Sequence, residues 1–426
     1  MEGTVTLNNR EQKRLIVLNR VEKKDLRVNN AGQVLGISER QVWRLLAAYR
    51  KKGVAGLAHG NRGKKPVNTL SRELREKVVT LAQNKYGGFN HSHLTEKLKE
   101  EEETYLSRSS VRRILLEKGF RSPRKNRASF HRRRRERYPR EGMLLQTDGS
   151  PHDWLEGRGP KLCLIGAVDD ATNKVPCALF CENETTSGYM RMLQEIVTKE
   201  GIPAALYHDR HGIFEINQGA LSVEEQLAGS QPRSQFGRLL DELGIQSIAA
   251  NSPQAKGRIE RLWGTFQDRL SSELRLVRAS TLEDANVVLQ RFLPEYNRRF
   301  AIQARDPEIA YLKPDSDFKP DEYFCFKETR TVGLDNVVRF YNHRLQILPL
   351  PGERSYAQRK VQVHLKLDGS IAIYCGGTAL TTQPAPPEAS MARKMEVAKP
   401  APIIPRQYAK PSPNHPWRGK FRAYFD

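Results

Sequence analysis

Three acidic residues in this 426-residue chain stand where carboxylates can act together. Asp148 closes the short apolar run of residues 143–148, Met-Leu-Leu-Gln-Thr-Asp, and Asp209 closes the run of residues 204–209, Ala-Ala-Leu-Tyr-His-Asp. Glu260 follows a third apolar run, residues 245–249. Gathering three carboxylates is unfavourable unless cations neutralise them. An all-oxygen ligand set suits Mg²⁺ or Mn²⁺, which keep coordination positions for phosphate and water. Two such ions per active site, about 3.5–4 Å apart, serve an in-line displacement at phosphorus, activating the attacking hydroxyl and stabilising the leaving oxygen. The chemistry this set would perform is metal-dependent cleavage or transfer of a phosphodiester.

The elements that must position these acids are legible around them. Residues 251–270 read as a loop feeding an amphipathic helix, with Ser252 as N-cap and Pro253 at its start. Ile259, Leu262, Trp263, Phe266 and Leu270 form one apolar stripe, which packs on a core. Glu260 lies off that stripe and shares its flank with Lys256, Gly264 and Gln267. A lone glutamate there would be an ordinary surface residue; the two strand-end aspartates change that reading. Residues 162–169 and 175–180 form a hairpin around Thr172 and Asn173, 185–200 a helix, 236–243 a helix and 245–249 a strand. The result is a mixed α/β layer fold over residues 143–305. Among the other acids, Asp153 lies in a polar loop, Asp169 and Asp170 suit turn or capping roles, and Asp170 is the main rival to Asp148. His208 and His211 flank Asp209, as substrate contacts or as the border of the site. Trp154 and Trp263 are expected to pack.

Composition restricts the partner. Lys and Arg exceed Asp and Glu by 22 charges and the pI is about 9.8. Nucleic acid is the expected partner, with an anionic membrane surface as the competitor. No apolar run is long enough to span a bilayer and no signal-peptide pattern opens the chain, so a cytoplasmic, nucleoid-associated protein is expected. Five scattered cysteines without a CxxC pair speak against structural zinc and a disulfide framework.

The front of the chain supplies the DNA-reading parts. Residues 1–60 have a helix-turn-helix layout: one helix ends near Gly36, Ser38 and Gln41 form a capping-box pattern, and Val42, Leu45, Leu46 and Tyr49 face inward. Arg40, Gln41 and Arg44 face outward, toward base edges. A linker over 61–69 leads to a second helix-turn-helix unit over 70–119, with helices expected at 71–84, 91–101 and 108–118. There Arg108, Arg112 and Arg113 face DNA, and His91 and His93 are expected at the solvent or DNA surface. Residues 120–142 are a basic linker lying on phosphate, and they include Arg132, Arg133, Arg134, Arg135, Arg137 and Arg140. Beyond the core, five short strands within 320–381 suggest a small β-barrel. Residues 382–426 are a proline-rich basic tail without a core of its own.

The motif Ser252-Pro-Gln-Ala-Lys-Gly-Arg-Ile-Glu-Arg261, with Thr265-Phe-Gln-Asp-Arg-Leu270 after it and the strand-end aspartates before it, resembles the DDE catalytic core of the retroviral-integrase superfamily. Within that superfamily it is similar to bacterial insertion-sequence transposases of the ISNCY type, and the double helix-turn-helix front end extends the likeness over most of the chain. The resemblance implies a multidomain protein: N-terminal all-α helix-turn-helix units, a central α/β ribonuclease-H-like core and a C-terminal SH3-like barrel. It implies that Asp148, Asp209 and Glu260 bind metal and that Lys256 contacts DNA near the cleaved bond; Arg258, in the same motif, is assigned with it to DNA. It implies double-stranded DNA as partner, both transposon ends and target, and a homodimer or higher assembly. The interval between Asp209 and Glu260 is longer than in many relatives, which places an insertion at residues 217–233. A non-catalytic DNA-binding regulator and a nuclease that cuts without joining are the competing readings.

Overall fold

The computed structural model describes residues 6–62, 64–67, 69–123, 136–214, 233–250 and 257–386. The chain divides into two compact units, Met1–Phe130 and His131–Asp426.

The first unit is helical. Helix α1 (Asn9–Glu22) opens with a full capping box, Asn8 and Glu11 each bonding the other's backbone N–H. Helix α2 (Val28–Leu35) stops at Gly36, and α3 (Glu39–Lys52) starts at Ser38, whose hydroxyl accepts from the Gln41 N–H. That bond is the forward half of the box expected there. Val17, Leu18, Ala31, Val42, Leu46 and Leu57 form the core, with Leu45 and Tyr49 packed against it. Arg40 and Arg44 are exposed on α3, and Gln41 is half-buried. Three further helices follow: α4 (Arg72–Asn84), α5 (His91–Glu100) and α6 (Arg108–Glu117), capped by Ser71, Asn90 and Ser107. Arg108, Arg112 and Arg113 are exposed, opposite the buried Val111, Ile114 and Leu115.

One expectation fails in this unit. His91 and His93 are not at the surface; they are 6% and 3% exposed. The Asn90 side chain accepts from the Ser92 and His93 N–H groups, which turns the first residues of α5 inward. The His93 ring stacks on Phe89 with centroids 4.5 Å apart. Burial, helped by Arg112 and Arg108, holds the His91 pKa below its ordinary value.

The second unit is built on a five-stranded sheet of order β3-β2-β1-β4-β5. Its strands are β1 (Leu145–His152), β2 (Leu162–Asp169), β3 (Cys177–Cys181), β4 (Ala205–His208) and β5 (Gln246–Ala249). β1 runs antiparallel to β2 and parallel to β4. Every residue of β2 is buried, as a central strand covered on both faces requires. Cys163, Ile165 and Ala167 point into one core with α7 (Thr186–Lys199) and α8 (Gln235–Glu242). Leu162, Leu164 and Val168 point into the other, with α9 (Gly257–Leu276) and α10 (Leu282–Phe300). The period-2 alternation of one strand thus serves two helical layers. Asn286 and Asn297 of α10 bond the backbone N–H and C=O of Phe180 and Val175, closing that side of the sheet.

After the single turn α11 (Pro320–Tyr323) come seven strands: β6 (Cys325–Thr331), β7 (Val337–Phe340), β8 (His343–Ile347), β9 (Lys360–Lys366), β10 (Ile371–Cys375), β11 (Thr378–Leu380) and β12 (Thr382–Pro384). Their hydrogen bonds give a four-stranded sheet, β11-β10-β9-β6, and a three-stranded one, β12-β8-β7. Both share one core around Val338, Phe340, Val361 and Ile373. No closed barrel is formed among the described residues, and the two additional strands are three-residue pieces too short to show a sequence period. Gln235 bonds both the N–H and the C=O of Lys327, so α8 grips β6.

Arg137 and Arg140 also depart from expectation. Arg137 Nη1 donates to the Asp170 and Ala171 carbonyls and to Asn173 Oδ1. Arg140 pairs with Asp306 at 2.6 Å and with Glu308 at 2.8 Å. Both side chains satisfy acceptors within the second unit. Arg132, Arg133, Arg134 and Arg135 lie outside the described residues, as do Lys256, Ser252, Pro253, residues 217–232 and residues 387–426. All five cysteines are free thiols. Among the described residues no helix is long and apolar enough to cross a membrane.

Candidate active site

Parallel pairing of β1 with β4 brings two of the three acids to one level. Leu145 pairs with Leu206 and Gln146 with Tyr207. Continued for two residues, that register sets Asp148 beside Asp209, at the end of β4. Both aspartates are half-buried. Asp209 Oδ1 accepts from the His211 N–H at 3.1 Å. His208 is fully buried: its ring stacks on Phe214 and its Nε2 lies 2.7 Å from Ser247 Oγ. His208 therefore borders the site, while His211 is exposed.

Glu260 is exposed on α9, whose apolar stripe Ile259, Leu262, Trp263, Phe266 and Leu270 is buried as the sequence pattern requires. Three polar contacts fix the rotation of this helix on the sheet. Arg258 Nε pairs with Asp170 Oδ1 at 2.6 Å. Trp263 Nε1 donates to Asp148 Oδ2 at 3.3 Å. Gln267 Nε2 donates to Ser150 Oγ at 3.3 Å. Glu260 and Gln267 are two turns apart on one flank, so Glu260 lies on the side of α9 that faces the Asp148 strand.

The other acids sort by their partners. Asp170 is fully buried and accepts from Gln146 Nε2 and the Tyr138 N–H in addition to Arg258. Its role is to fasten α9 and the segment before β1. Arg258, expected at DNA, directs its Nε to this acid. Asp169 accepts from the N–H groups of Gly142 and Thr172 and from the Thr172 hydroxyl, the turn role expected of it, and burial raises its pKa. Asp153 accepts from the Gly157 N–H within its loop.

One acid escaped the sequence reading. Glu184 lies between β3 and α7, and its carboxylate sits against Gly149, the residue after Asp148. A Cβ at Gly149 would come within 2.6 Å of Glu184 Cδ. The buried Tyr189 hydroxyl donates to Glu184 Oε1 at 2.6 Å. Burial first, then the charges of Glu184, Asp148 and Asp209, push the Tyr189 pKa far up. The one signal in the sequence was the glycine next to Asp148, which marks a close approach without naming what approaches.

The donor set is carboxylate oxygen, suited to hard divalent cations. Among the described residues no three His, Cys, Asp or Glu side chains are already gathered as a metal-binding group. What the fold supplies is Asp148 on β1, Asp209 directly after the adjacent β4, and a glutamate-bearing helix bonded to Asp148.

Residues 8–58 match a family model described as a homeodomain-like domain. The chain is 34% identical to the putative transposase y4bF of Sinorhizobium fredii (strain NBRC 101917 / NGR234), over 89% of this chain and 81% of that protein. It is 28% identical to the transposase for insertion sequence IS1202 of Streptococcus pneumoniae, over 97% of this chain and 95% of that protein. Among solved structures it is similar to a chain of the simian T-cell lymphotropic virus intasome in complex with PP2A regulatory subunit B56 gamma, at 16% identity and a TM-score of 0.30, covering 72% of this chain and 96% of that one. A second is the HTLV-2 integrase catalytic core domain in complex with magnesium, in its trimeric form, at 18% identity and a TM-score of 0.26, covering 36% of this chain and 84% of that one.

Proposed function

This chain belongs to the bacterial insertion-sequence transposases, and from that premise we propose that it is a DDE-type polynucleotidyl transferase acting through Asp148, Asp209 and Glu260. The observation that supports the proposal is the parallel pairing of β1, which carries Asp148, with β4, which Asp209 follows, together with the bond from Trp263 on the Glu260 helix to Asp148. These three carboxylates would hold Mg²⁺ or Mn²⁺, two ions per site. Bound there, the ions would polarise the scissile phosphate and favour ionisation of the attacking hydroxyl.

The protein's own part is positioning. The ribonuclease-H-like core holds Asp148 within β1 and Asp209 just past β4, and the α9 contacts fix the helix that carries Glu260 against the Asp148 strand. Water cleaves a phosphodiester at the element end and frees a 3′-OH; that hydroxyl then attacks a phosphodiester of target DNA, forming a new P–O bond as the target strand's own 3′-oxygen leaves. No covalent enzyme intermediate is required. Arg40, Gln41 and Arg44 at the start of α3 read the inverted-repeat ends, and Arg108, Arg112 and Arg113 extend the contact. Lys256, Arg132, Arg133, Arg134 and Arg135 are assigned to phosphate. Two ends must be held at once, so the working form is a homodimer or larger assembly on double-stranded DNA.

The test is a cleavage and joining assay on a fragment carrying the sequences that flank the gene, with Mg²⁺ or Mn²⁺. The expected result is nicks at the element ends plus joined products, both absent with Glu260→Gln. Specific binding without cutting would point to a DNA-binding regulator, and cutting without joined products to a nuclease.

A further inference from the structure

Trp263 follows Glu260 by three residues on α9 and is 6% exposed. Its indole N–H reaches Asp148 Oδ2. The ring lies over Gly166, the β2 residue paired with Asp148 across the ladder. A Cβ at Gly166 would come within 3.0 Å of Trp263 Cη2 and 3.1 Å of Ala178 Cβ. The ring also meets Phe266 in an edge-type contact, with centroids 6.0 Å apart. A glycine is thus placed beneath the indole at the register position of the acid that the indole touches.

Building on the catalytic reading above, we propose that Trp263 is a positioning residue for Asp148. The indole nitrogen is a donor only and does not titrate, so it presents a hydrogen to the carboxylate at every working pH. An ionised carboxylate has about four lone-pair sites, and the indole bond at Oδ2 uses one of them to orient the group. Packing of the ring against Gly166 and Phe266 restricts its swing. Trp263 and Glu260 share less than one turn of a rigid helix, so the same bond sets the distance between the Glu260 backbone and Asp148. Groups that orient a metal ligand from behind typically matter 10–100-fold in metal affinity.

Trp154 is the matched control. It is also fully buried, but its N–H goes to the Ser150 carbonyl at 3.0 Å and not to an acid of the site. The experiment titrates Mn²⁺ calorimetrically into the full-length wild type, Trp263→Phe, Trp154→Phe, Gly166→Ala and Asp148→Asn. The Mn²⁺ concentration for half-maximal DNA cutting is measured alongside. Trp263→Phe should weaken Mn²⁺ binding about tenfold and raise the concentration for cutting by a similar factor. Trp154→Phe should change neither. Gly166→Ala keeps the indole but displaces it, and should shift both in the same direction as Trp263→Phe. Wild-type Mn²⁺ binding in Trp263→Phe, or an equal loss in Trp154→Phe, would overturn the proposal. If Trp263→Phe does not fold, Gly166→Ala decides: wild-type binding there overturns it as well. Asp148→Asn separates the two levels of argument. Mn²⁺ binding unchanged in that variant would remove the metal reading itself, and this inference with it.

Discussion

Asp148 stands within β1 and Asp170 in the turn just after β2, and the two meet opposite fates. Asp170 is sealed from solvent, and a guanidinium, a side-chain amide and a backbone N–H all point at it. Asp148 is half-buried near Asp209 and Glu184, and the Trp263 indole donates to it. An acid neutralised from within the protein is part of the scaffold. Acids set close together repel one another, and a bound cation relieves that repulsion. That difference separates Asp148 from its rival, although in the sequence both are simply aspartates at strand ends.

The sharpest way to break this contrast is to neutralise each acid in turn. Asp148→Asn and Asp209→Asn should lower DNA cutting by about a thousandfold or more, because several kcal/mol of charge stabilisation in the transition state are lost. Their melting temperatures should stay the same or rise, since like charges have been separated. Cutting at the wild-type rate by Asp148→Asn would transfer the candidacy to another acid, Glu184 beside Gly149 among them.

Asp170 should respond in the opposite sense. Asp170→Ala or Arg258→Met strands a buried charge, which typically costs about 3–5 kcal/mol of stability. Removing both partners together should cost less than either alone, because no uncompensated charge remains. Chemical denaturation of the two single variants and the double variant measures this. If Arg258→Met left stability untouched and weakened only DNA binding, Arg258 would be a DNA contact first and the ion pair incidental.

The sequence exposed the first side of this comparison better than the second. The helix cap at Ser38 and the apolar stripe of α9 are local patterns, and each is found where its cap residue or period placed it; β1, by contrast, continues past Asp148 to His152, so that acid sits within the strand and not at its end. The Arg258–Asp170 pair joins residues 88 positions apart. Glu184 meets Gly149 because the sheet and α7 bring them together. The burial of His91 and His93 follows from the way α5 packs, which a polar residue type does not announce. The C-terminal strands were legible as strands, but their division into two sheets is a matter of pairing partners, and β-strand periodicity is blind to partners.

A buried titratable group far from the acids extends the comparison to pH. His364 on β9 is 6% exposed, and burial, together with Lys327 and Arg238, lowers its pKa to about 4; Glu242 and Glu322 oppose the shift. The unfolded chain takes up a proton as pH falls through about 6.5, whereas the folded one resists until about 4. Stability is therefore full above pH 6.5 and is lost progressively below it, by about 2–3 kcal/mol at pH 4. His364→Leu should flatten that slope in denaturation curves taken between pH 7 and 4. An unchanged slope would show that other groups carry the acid sensitivity of the C-terminal sheets.

The smallest effect expected is at the front end, where arginines differ as the two aspartates do. Arg258 and Arg137 are turned into the second unit, whereas Arg44 is exposed on the first turns of α3, opposite the buried Val42 and Leu46. An arginine with its guanidinium in solvent can address a base edge, and a bidentate contact of that kind discriminates by about 1–3 kcal/mol. Arg44→Ala should weaken binding to the element end by that amount and binding to random DNA by less, measured at one salt concentration. The salt dependence of the two losses separates the roles: a phosphate contact lowers the log–log slope by about one, and a base contact leaves it in place. Equal losses on both DNAs with a reduced slope would assign Arg44 to phosphate and move sequence reading to another residue of α3.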